Sequence, residues 1–238
     1  MQFWNDLYRL PQDVRDCIDS WRTIKEEGFQ LLLFDDERAR EFIVRELGPR
    51  YADAYDRCYH PAMRSDYFRL CYILKEGCCY LDADEVHRGP RIGHLFSDGR
   101  LRIQPLCYDF STDQMVPPSI FTVPGANASS WLFYFGNSPL IAGRGHPIVE
   151  RALVSATKAL ERAAADELPE IQSTTGPGNL TTAVFDFVLE YGGTEKTVVV
   201  LHQWEDIAVS KWPLSYRSDS RNWRLSNQRE YRPHLEDR

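Results

Sequence analysis

Residues 61–85 read PAMRSDYFRLCYILKEGCCYLDADE, and the fold turns on how this stretch is parsed. Met63, Tyr67, Leu70, Cys71 and Leu74 recur at the i, i+4, i+7, i+8, i+11 spacing of one apolar helix face. Gly77 supplies a stop for that helix. The apolar run from Cys78 to Leu81 then reads as a buried strand that delivers Asp82 and Asp84 to its C-terminal end. Ligands of open α/β sheets collect at that end, and two carboxylates there can hold a divalent cation through oxygen. The spacing alone is weak, as any short motif is; the strand directly before it is what gives it weight. Asp66 and Arg69 lie at i, i+3 on the helix, off the face that carries Met63, Tyr67 and Leu74. On a solvated helix they would form an ion pair worth little. Beside a strand-end cleft, the planar fork of Arg69 would address a phosphate or sugar oxygen, and Asp66 would take sugar hydroxyls.

Upstream, Met1-Gln2-Phe3-Trp4 reads as the tail of a strand rather than its start. Asp13 is the expected N-cap of a helix with Val14, Cys17, Ile18 and Trp21 on one face, ended by Gly28. Gln30 to Phe34 (QLLLF) reads as a buried parallel strand. Asp35-Asp36 caps a further helix with Ala39, Phe42, Ile43 and Leu47 in phase before Gly48-Pro49. The order strand, helix, strand, helix, helix, strand predicts an α/β domain whose central, mostly parallel sheet is flanked by helices.

Downstream, residues 86–130 carry glycine and proline punctuation, with strand-like pieces at Leu101 to Pro105 and Ser119 to Val123. Trp131 to Phe135 reads as a strand ending at Gly136-Asn137-Ser138. His146-Pro147 opens a long helix through Ala165, rich in good helix formers. Thr174-Thr175-Gly176-Pro177-Gly178 is a tight loop before a helix from about Leu180 to Tyr191, and Thr197 to Leu201 is a last strand. From Trp212 on, the Arg, Ser, Asn and Asp content predicts a segment that wraps the surface. With neither repeat nor linker, one domain over residues 1–238 is expected.

Composition narrows the function classes. At 238 residues, 43% hydrophobic and 26% charged, the chain is an ordinary globular sequence with enough length for a substantial core. A net charge of -7 argues against a nucleic-acid partner, while a diphosphate-bearing small molecule stays compatible through local metal and arginine. No apolar run approaches the roughly 20 residues that span a bilayer, and no signal peptide opens the chain. A cytoplasmic protein, peripheral to the membrane at most, is expected. The six cysteines form no CxxC pair, which reads as reduced, buried thiols rather than a zinc or disulfide framework.

Ser65-Asp66-x-x-Arg69 followed by Gly77, Tyr80, Asp82 and Asp84 resembles the DxD region of glycosyltransferases of family 32, which is related to the catalytic domain of the clostridial glucosylating toxins. Trp131…Asn137, Gly145-His146-Pro147 and Thr175-Gly176-Pro177 resemble that family's strand, "G-H-P" helix start and "T-G-P" loop. LPQDVRDCIDSWR resembles its first helix, and coverage extends to about residue 212. Cys78 departs from the pattern, standing where the family usually has a second glycine. Only the tail of the family's first strand precedes Trp4, so either the strand is short or residues stand upstream.

What the resemblance implies is a GT-A fold and a retaining transfer from a nucleotide sugar, assisted by Mn²⁺ or Mg²⁺. Residues 1–85 would be the nucleotide-binding half and 86–238 the acceptor side with a C-terminal closing segment. Asp84 would ligate the metal, with Asp82 bridging ribose, sugar or a metal-bound water, and Asp66 and Arg69 completing the catalytic set. Ser210 and Asp206, with Glu205 as the alternative to Asp206, would add to the metal shell. Gln2, Trp4, Ser65, Asn137 and Trp212 would contact the donor, a UDP-sugar in preference to a GDP-sugar. His202 is a further candidate. The acceptor would be a saccharide or glycolipid.

Two other readings remain open at this level. CCYLDADEV also fits the strand and D-x-D-x-[TV] loop of haloacid-dehalogenase-type phosphotransferases, with Asp82 as nucleophile. That fold carries its motif on the first strand, whereas some 80 residues precede it here. A non-catalytic protein that binds nucleotide sugars is the third.

Overall fold

In the computed structural model, which describes residues 1–125, 128–164 and 166–231, the helix Pro61–Glu76 is buried on nearly every side. Alongside the expected Met63, Tyr67, Leu70 and Cys71, the residues Phe68, Tyr72 and Ile73 are also buried, and so are Ser65, Asp66 and Arg69. The spacing had predicted one apolar stripe. A helix with apolar residues around most of its circumference belongs inside the core, and its few polar groups then have to be paired.

The elements follow in the order β1 (Gln2–Phe3), α1 (Gln12–Ser20), β2 (Leu33–Phe34), α2 (Asp36–Leu47), α3 (Pro49–Asp56), α4 (Pro61–Glu76) and β3 (Cys78–Tyr80). Beyond the two aspartates come β4 (Glu85–His87), β5 (Leu101–Asp109), β6 (Gln114–Met115), α5 (Pro118–Phe121) and β7 (Trp131–Ala142). The chain continues through α6 (Pro147–Arg162), α7 (Ile171–Thr174), α8 (Pro177–Tyr191), β8 (Val198–Val200), β9 (Ala208–Ser210) and α9 (Trp223–Ser226). The sequence reading had run α6 on to Ala165, which lies outside the described residues.

The sheet is mixed, which corrects the mostly parallel expectation. β3 pairs antiparallel with β7, and β7 antiparallel with β5. β6 (antiparallel) and β8 (parallel) share the other edge of β5, one at each end. On the far side, β1 runs beside β3 through Met1 N to Cys79 O at 2.8 Å and Leu81 N to Met1 O at 3.1 Å, and it pairs parallel with β2. Apolar runs identify buried strands but carry no direction. Direction comes from the connections, and among the described residues of 86–130 the one α-helix is the four-residue α5, too short for the crossover a parallel neighbour needs.

Four local expectations change for identifiable reasons. Asp13 does not cap α1, which begins at Gln12 behind Pro11; its carboxylate instead accepts from Ser215 N at 2.6 Å and Ser215 Oγ at 3.0 Å. Residues 119–121 are helical, because Pro118 at the first helical position presets the turn. The 30–34 strand contracts to Leu33–Phe34. Finally, β7 does not end at Gly136-Asn137-Ser138 but runs on to Ala142. Its register on β5 jumps from Pro105↔Phe135 to Ile103↔Leu140. That irregularity lifts residues 136–139 out of the ladder, as bulges beside functional sites do.

Most of the core lies between this sheet and α2, α3, α4, α6 and α8. α6 and α4 start alike: His146 and His60 each accept the first free helical N–H on Nδ1, and a proline follows. Among the described residues no helix is long and apolar enough to cross a membrane.

Candidate active site

At the C-terminal end of β3 the chain opens onto a cavity of about 910 Å³. α4 contributes Ser65, Asp66 and Arg69 to its wall; the residues after β3 contribute Asp82, Asp84 and Glu85. Asn137 and Ser138 come from the irregular stretch of β7, and Ser210 from the end of β9.

Arg69 is the joint of this wall. Its Nη2 lies 2.8 Å from Asp66 Oδ1 and 3.2 Å from Asp82 Oδ1, and its Nη1 donates to Asn137 O at 2.7 Å. Ser65 Oγ and Tyr80 Oη are each 3.2 Å from Nη2. Asn137 Nδ2 donates to Asp66 Oδ1 at 2.8 Å, so Asp66 is held from two elements. Burial pushes the Asp66 carboxyl up to about 6, against the pull of Arg69. The "T-G-P" glycine has a physical reason here: a Cβ on Gly176 would lie 2.9 Å from Gln172 Cα and 3.2 Å from Asp66 Oδ2.

Asp84 has a different set of partners. Its Oδ2 accepts from Tyr216 Oη at 2.7 Å and from the Arg217 guanidinium. Both lie in the segment after Trp212, which had been expected to wrap the surface and instead enters the cavity. The Trp212 ring lies 3.5 Å from Arg217 Cζ, and Tyr216 meets Trp4 edge-on at 5.2 Å. Asp13 anchors this segment at Ser215. Burial and the neighbouring Asp82 raise the Asp84 carboxyl above its ordinary value, although Arg217 opposes them.

Glu85 is the group that reading the sequence missed. It is buried, receives Ser138 Oγ at 2.5 Å and Trp204 Nε1 at 3.2 Å, and burial with nearby Asp82 pushes it up to about 8. Ser138 Oγ in turn accepts Asp82 N at 2.9 Å, so Glu85 and Ser138 together brace the backbone at Asp82. Its position directly after Asp84 was the available signal. Tyr216 and Arg217 had none, since Arg217 stands 133 residues from Asp84 along the chain.

Trp4, Ser65, Asp66, Arg69, Asp82, Asp84, Asn137, His202, Asp206, Ser210 and Trp212 all line the cavity. Gln2 does not. It is fully buried behind Asp82, donating Nε2 to Asp82 O at 3.1 Å while its Oε1 has no hydrogen-bond partner among the described residues. Glu205 also lines the cavity but is engaged by Gln104 Nε2 at 2.6 Å. Cys78, the departure from the resembled pattern, pairs with Ala142 in ordinary extended register. The close approach falls one residue earlier, at Gly77, where φ is +68° and a Cβ would sit 2.6 Å from Arg144 N.

Residues 11–91 match the family described as "Glycosyltransferase sugar-binding region containing DXD motif". The match covers about a third of the chain. An uncharacterized glycosyltransferase of Acanthamoeba polyphaga mimivirus is 30% identical over 88 residues, 37% of this chain and 35% of the relative. The chain therefore aligns with about a third of that protein's length. Among solved structures, the PaToxG glycosyltransferase superposes with a TM-score of 0.51 at 16% identity, covering 82% of this chain and 69% of that one. A likeness at that identity establishes the shared fold, and it reaches well beyond the DXD region.

Whether the DXD region fits a divalent cation can be judged from its donors. Asp82 and Asp84 offer carboxylate oxygens and Ser210 a hydroxyl, the hard donors that Mg²⁺ and Mn²⁺ take. The Asp82 side chain is 41% exposed toward the cavity, while that of Asp84 is 10% exposed and already paired with a cationic side chain. Ser210 sits opposite Glu85 in the β4–β9 ladder, and Lys211 N donates to Asp84 O at 2.9 Å, so the two segments are fastened together. Among the described residues no group of three or more His, Cys, Asp or Glu side chains could by itself hold a metal ion. The donors fit a cation that draws the rest of its shell from phosphate oxygens, as Mg²⁺ at nucleotide sites does.

Proposed function

We propose that the chain is a metal-dependent, retaining glycosyltransferase that moves a sugar from a nucleotide sugar, a UDP-sugar in preference to a GDP-sugar, to a saccharide or glycolipid acceptor. The observation that carries this reading is one cavity wall holding Asp66, Arg69, Asp82, Asp84 and Asn137, within a DXD sugar-binding region. Mn²⁺ or Mg²⁺ bound at Asp84 and Asp82, with Ser210 and Asp206 at its margin, would supply Lewis-acid neutralisation of the leaving diphosphate.

The remaining work falls to side chains. Asp66 is ionised above about pH 6 and accepts hydroxyls of the donor sugar, its orientation set by Asn137 and Arg69. Arg69 binds Asp66 and Asp82 into one rigid wall, so the carboxylates need no reorganisation as charge develops in an oxocarbenium-like transition state. Trp4 flanks the base at the end of β1, and Trp212 closes over the diphosphate. Gln2 stands behind Asp82 and positions its backbone without touching the donor. As the bond from the sugar to the diphosphate breaks, the acceptor oxygen bonds to the sugar and its proton passes to the departing phosphate oxygen.

The rim formed by Met115, Pro118 and Phe121 supports an amphiphilic acceptor. Ile120, Val123, Leu132 and Phe133 are exposed beside it and would suit a lipid-linked saccharide at a membrane surface. A panel of nucleotide sugars incubated with and without Mn²⁺ tests the reading. Metal-dependent release of free sugar is expected; phosphate release from phosphomonoesters instead would favour the phosphotransferase alternative.

A further inference from the structure

The Arg217 guanidinium is occupied on one side only. Its Nη2 pairs with Asp84, and its face lies against Trp212 with Cζ 3.5 Å from the ring centroid. Its Nε, buried beside the cavity, has no hydrogen-bond partner among the described residues. Asn222 Nδ2 holds the Arg217 carbonyl at 2.6 Å, so the backbone of the residue is anchored independently of its guanidinium. A buried N–H left unmet is costly, and a guanidinium presents its donors in a fork that matches phosphate. The cavity beside it is the one assigned above to a nucleotide sugar.

We propose that Arg217 is a donor-diphosphate ligand held in reserve on Asp84. This rests on the glycosyltransferase reading of the site and adds a residue to it. Asp84 Oδ2 already accepts from both Tyr216 and Arg217, so a divalent cation at that oxygen would take the place of one of them, and the guanidinium is the partner its charge repels. Without ligand, Arg217 neutralises the buried Asp84 and competes with the cation. With cation and nucleotide present, Arg217 gives up Oδ2 and turns its fork, Nε included, to the diphosphate, the nearest anion the cavity would hold. Tyr216 keeps its hydrogen bond to Asp84 and needs no change of partner. Arg217 thereby couples the two binding events, weakening cation binding to the free protein and strengthening nucleotide binding to the loaded one.

The test is calorimetry of Mn²⁺ binding alone, then of UDP and of GDP binding at saturating Mn²⁺, for the wild type and Arg217→Gln. Glutamine keeps a hydrogen bond to Asp84 without the charge. Mn²⁺ should bind the variant several-fold more tightly, and the preferred nucleotide roughly tenfold more weakly, the scale of a charged hydrogen bond. A residue that merely held the segment in place would move both affinities downward. Shifts of the same sign, or none, overturn the proposal and leave the glycosyltransferase reading standing. A wild type that binds neither Mn²⁺ nor nucleotide overturns both. If Arg217→Gln does not fold, Arg217→Lys keeps the charge but not the fork: its Mn²⁺ affinity should match the wild type while nucleotide binding falls, and unchanged nucleotide binding overturns the proposal.

Discussion

The Arg69 guanidinium lies against the Tyr80 ring, Cζ 3.9 Å from its centroid, while its nitrogens reach Asp66 at 2.8 Å and Asp82 at 3.2 Å. A helix residue and a strand residue thus form one plate on which two carboxylates are mounted. Stacking on the aromatic face fixes the plane of the fork, which a lysine could not do.

Replacing Arg69 by methionine leaves two carboxylates without their cation, one of them in the interior. The expected cost is about 3–5 kcal/mol, the range for breaking a buried ion pair from one side, read as a fall in the urea midpoint with an unchanged slope. Adding Asp66→Asn should recover part of that loss. A strictly additive double variant would show that the two residues are not coupled.

The pH dependence of stability follows from Glu85 and Asp66. Both carboxyls stand above their ordinary values in the folded protein, Glu85 at about 8 and Asp66 at about 6. The folded chain therefore holds protons that the unfolded chain has already released, and stability falls as pH rises through those values. Each tenfold change in proton affinity corresponds to about 1.4 kcal/mol. His60 and His146 are pushed down by burial and act in the opposite sense, so the informative quantity is a difference. Relative to wild type, Glu85→Gln should gain stability between about pH 5 and about pH 8.5. Parallel curves for the two proteins would mean that Glu85 is not held up.

Gly77 and Gly28 both have positive φ, +68° and +85°, but their surroundings differ. A Cβ at Gly77 meets Arg144 N at 2.6 Å, whereas nothing lies within 4 Å of one at Gly28. Gly28→Ala should cost only the backbone strain, about 1 kcal/mol. Gly77→Ala should cost clearly more, because β3 and the turn after β7 would have to part. Thermal unfolding of the two variants side by side separates crowding from strain.

Much of the site was legible because its residues sit together in the chain. Asp66, Arg69, Asp82 and Asp84 fall within one helix–strand unit, where periodicity places the helix and an apolar run places the strand. Asn137 was legible only through a resemblance, and its reach to Asp66 depends on a register jump that spacing does not encode. The mixed sheet was misread because Val, Ile and Leu runs look alike in either direction. Gln2 was misplaced because nothing in its spacing shows that its side chain is taken up by the Asp82 carbonyl behind the cavity wall. Arg217, Tyr216 and the Asp13–Ser215 anchor were invisible for a common reason: polar residues in a segment without periodicity show no destination until the tertiary fold supplies one.

The central claim is that Asp84 handles a cation for transfer from a nucleotide sugar. The most direct measurement is nucleoside diphosphate release from the best donor of a nucleotide-sugar panel, by wild type and Asp84→Asn, with and without Mn²⁺ and with circular dichroism confirming the fold. Release by the wild type that requires Mn²⁺, and a folded Asp84→Asn variant slower by a factor on the order of a hundred or more, is the predicted result. Equal release by the two proteins, or release indifferent to Mn²⁺, would contradict it.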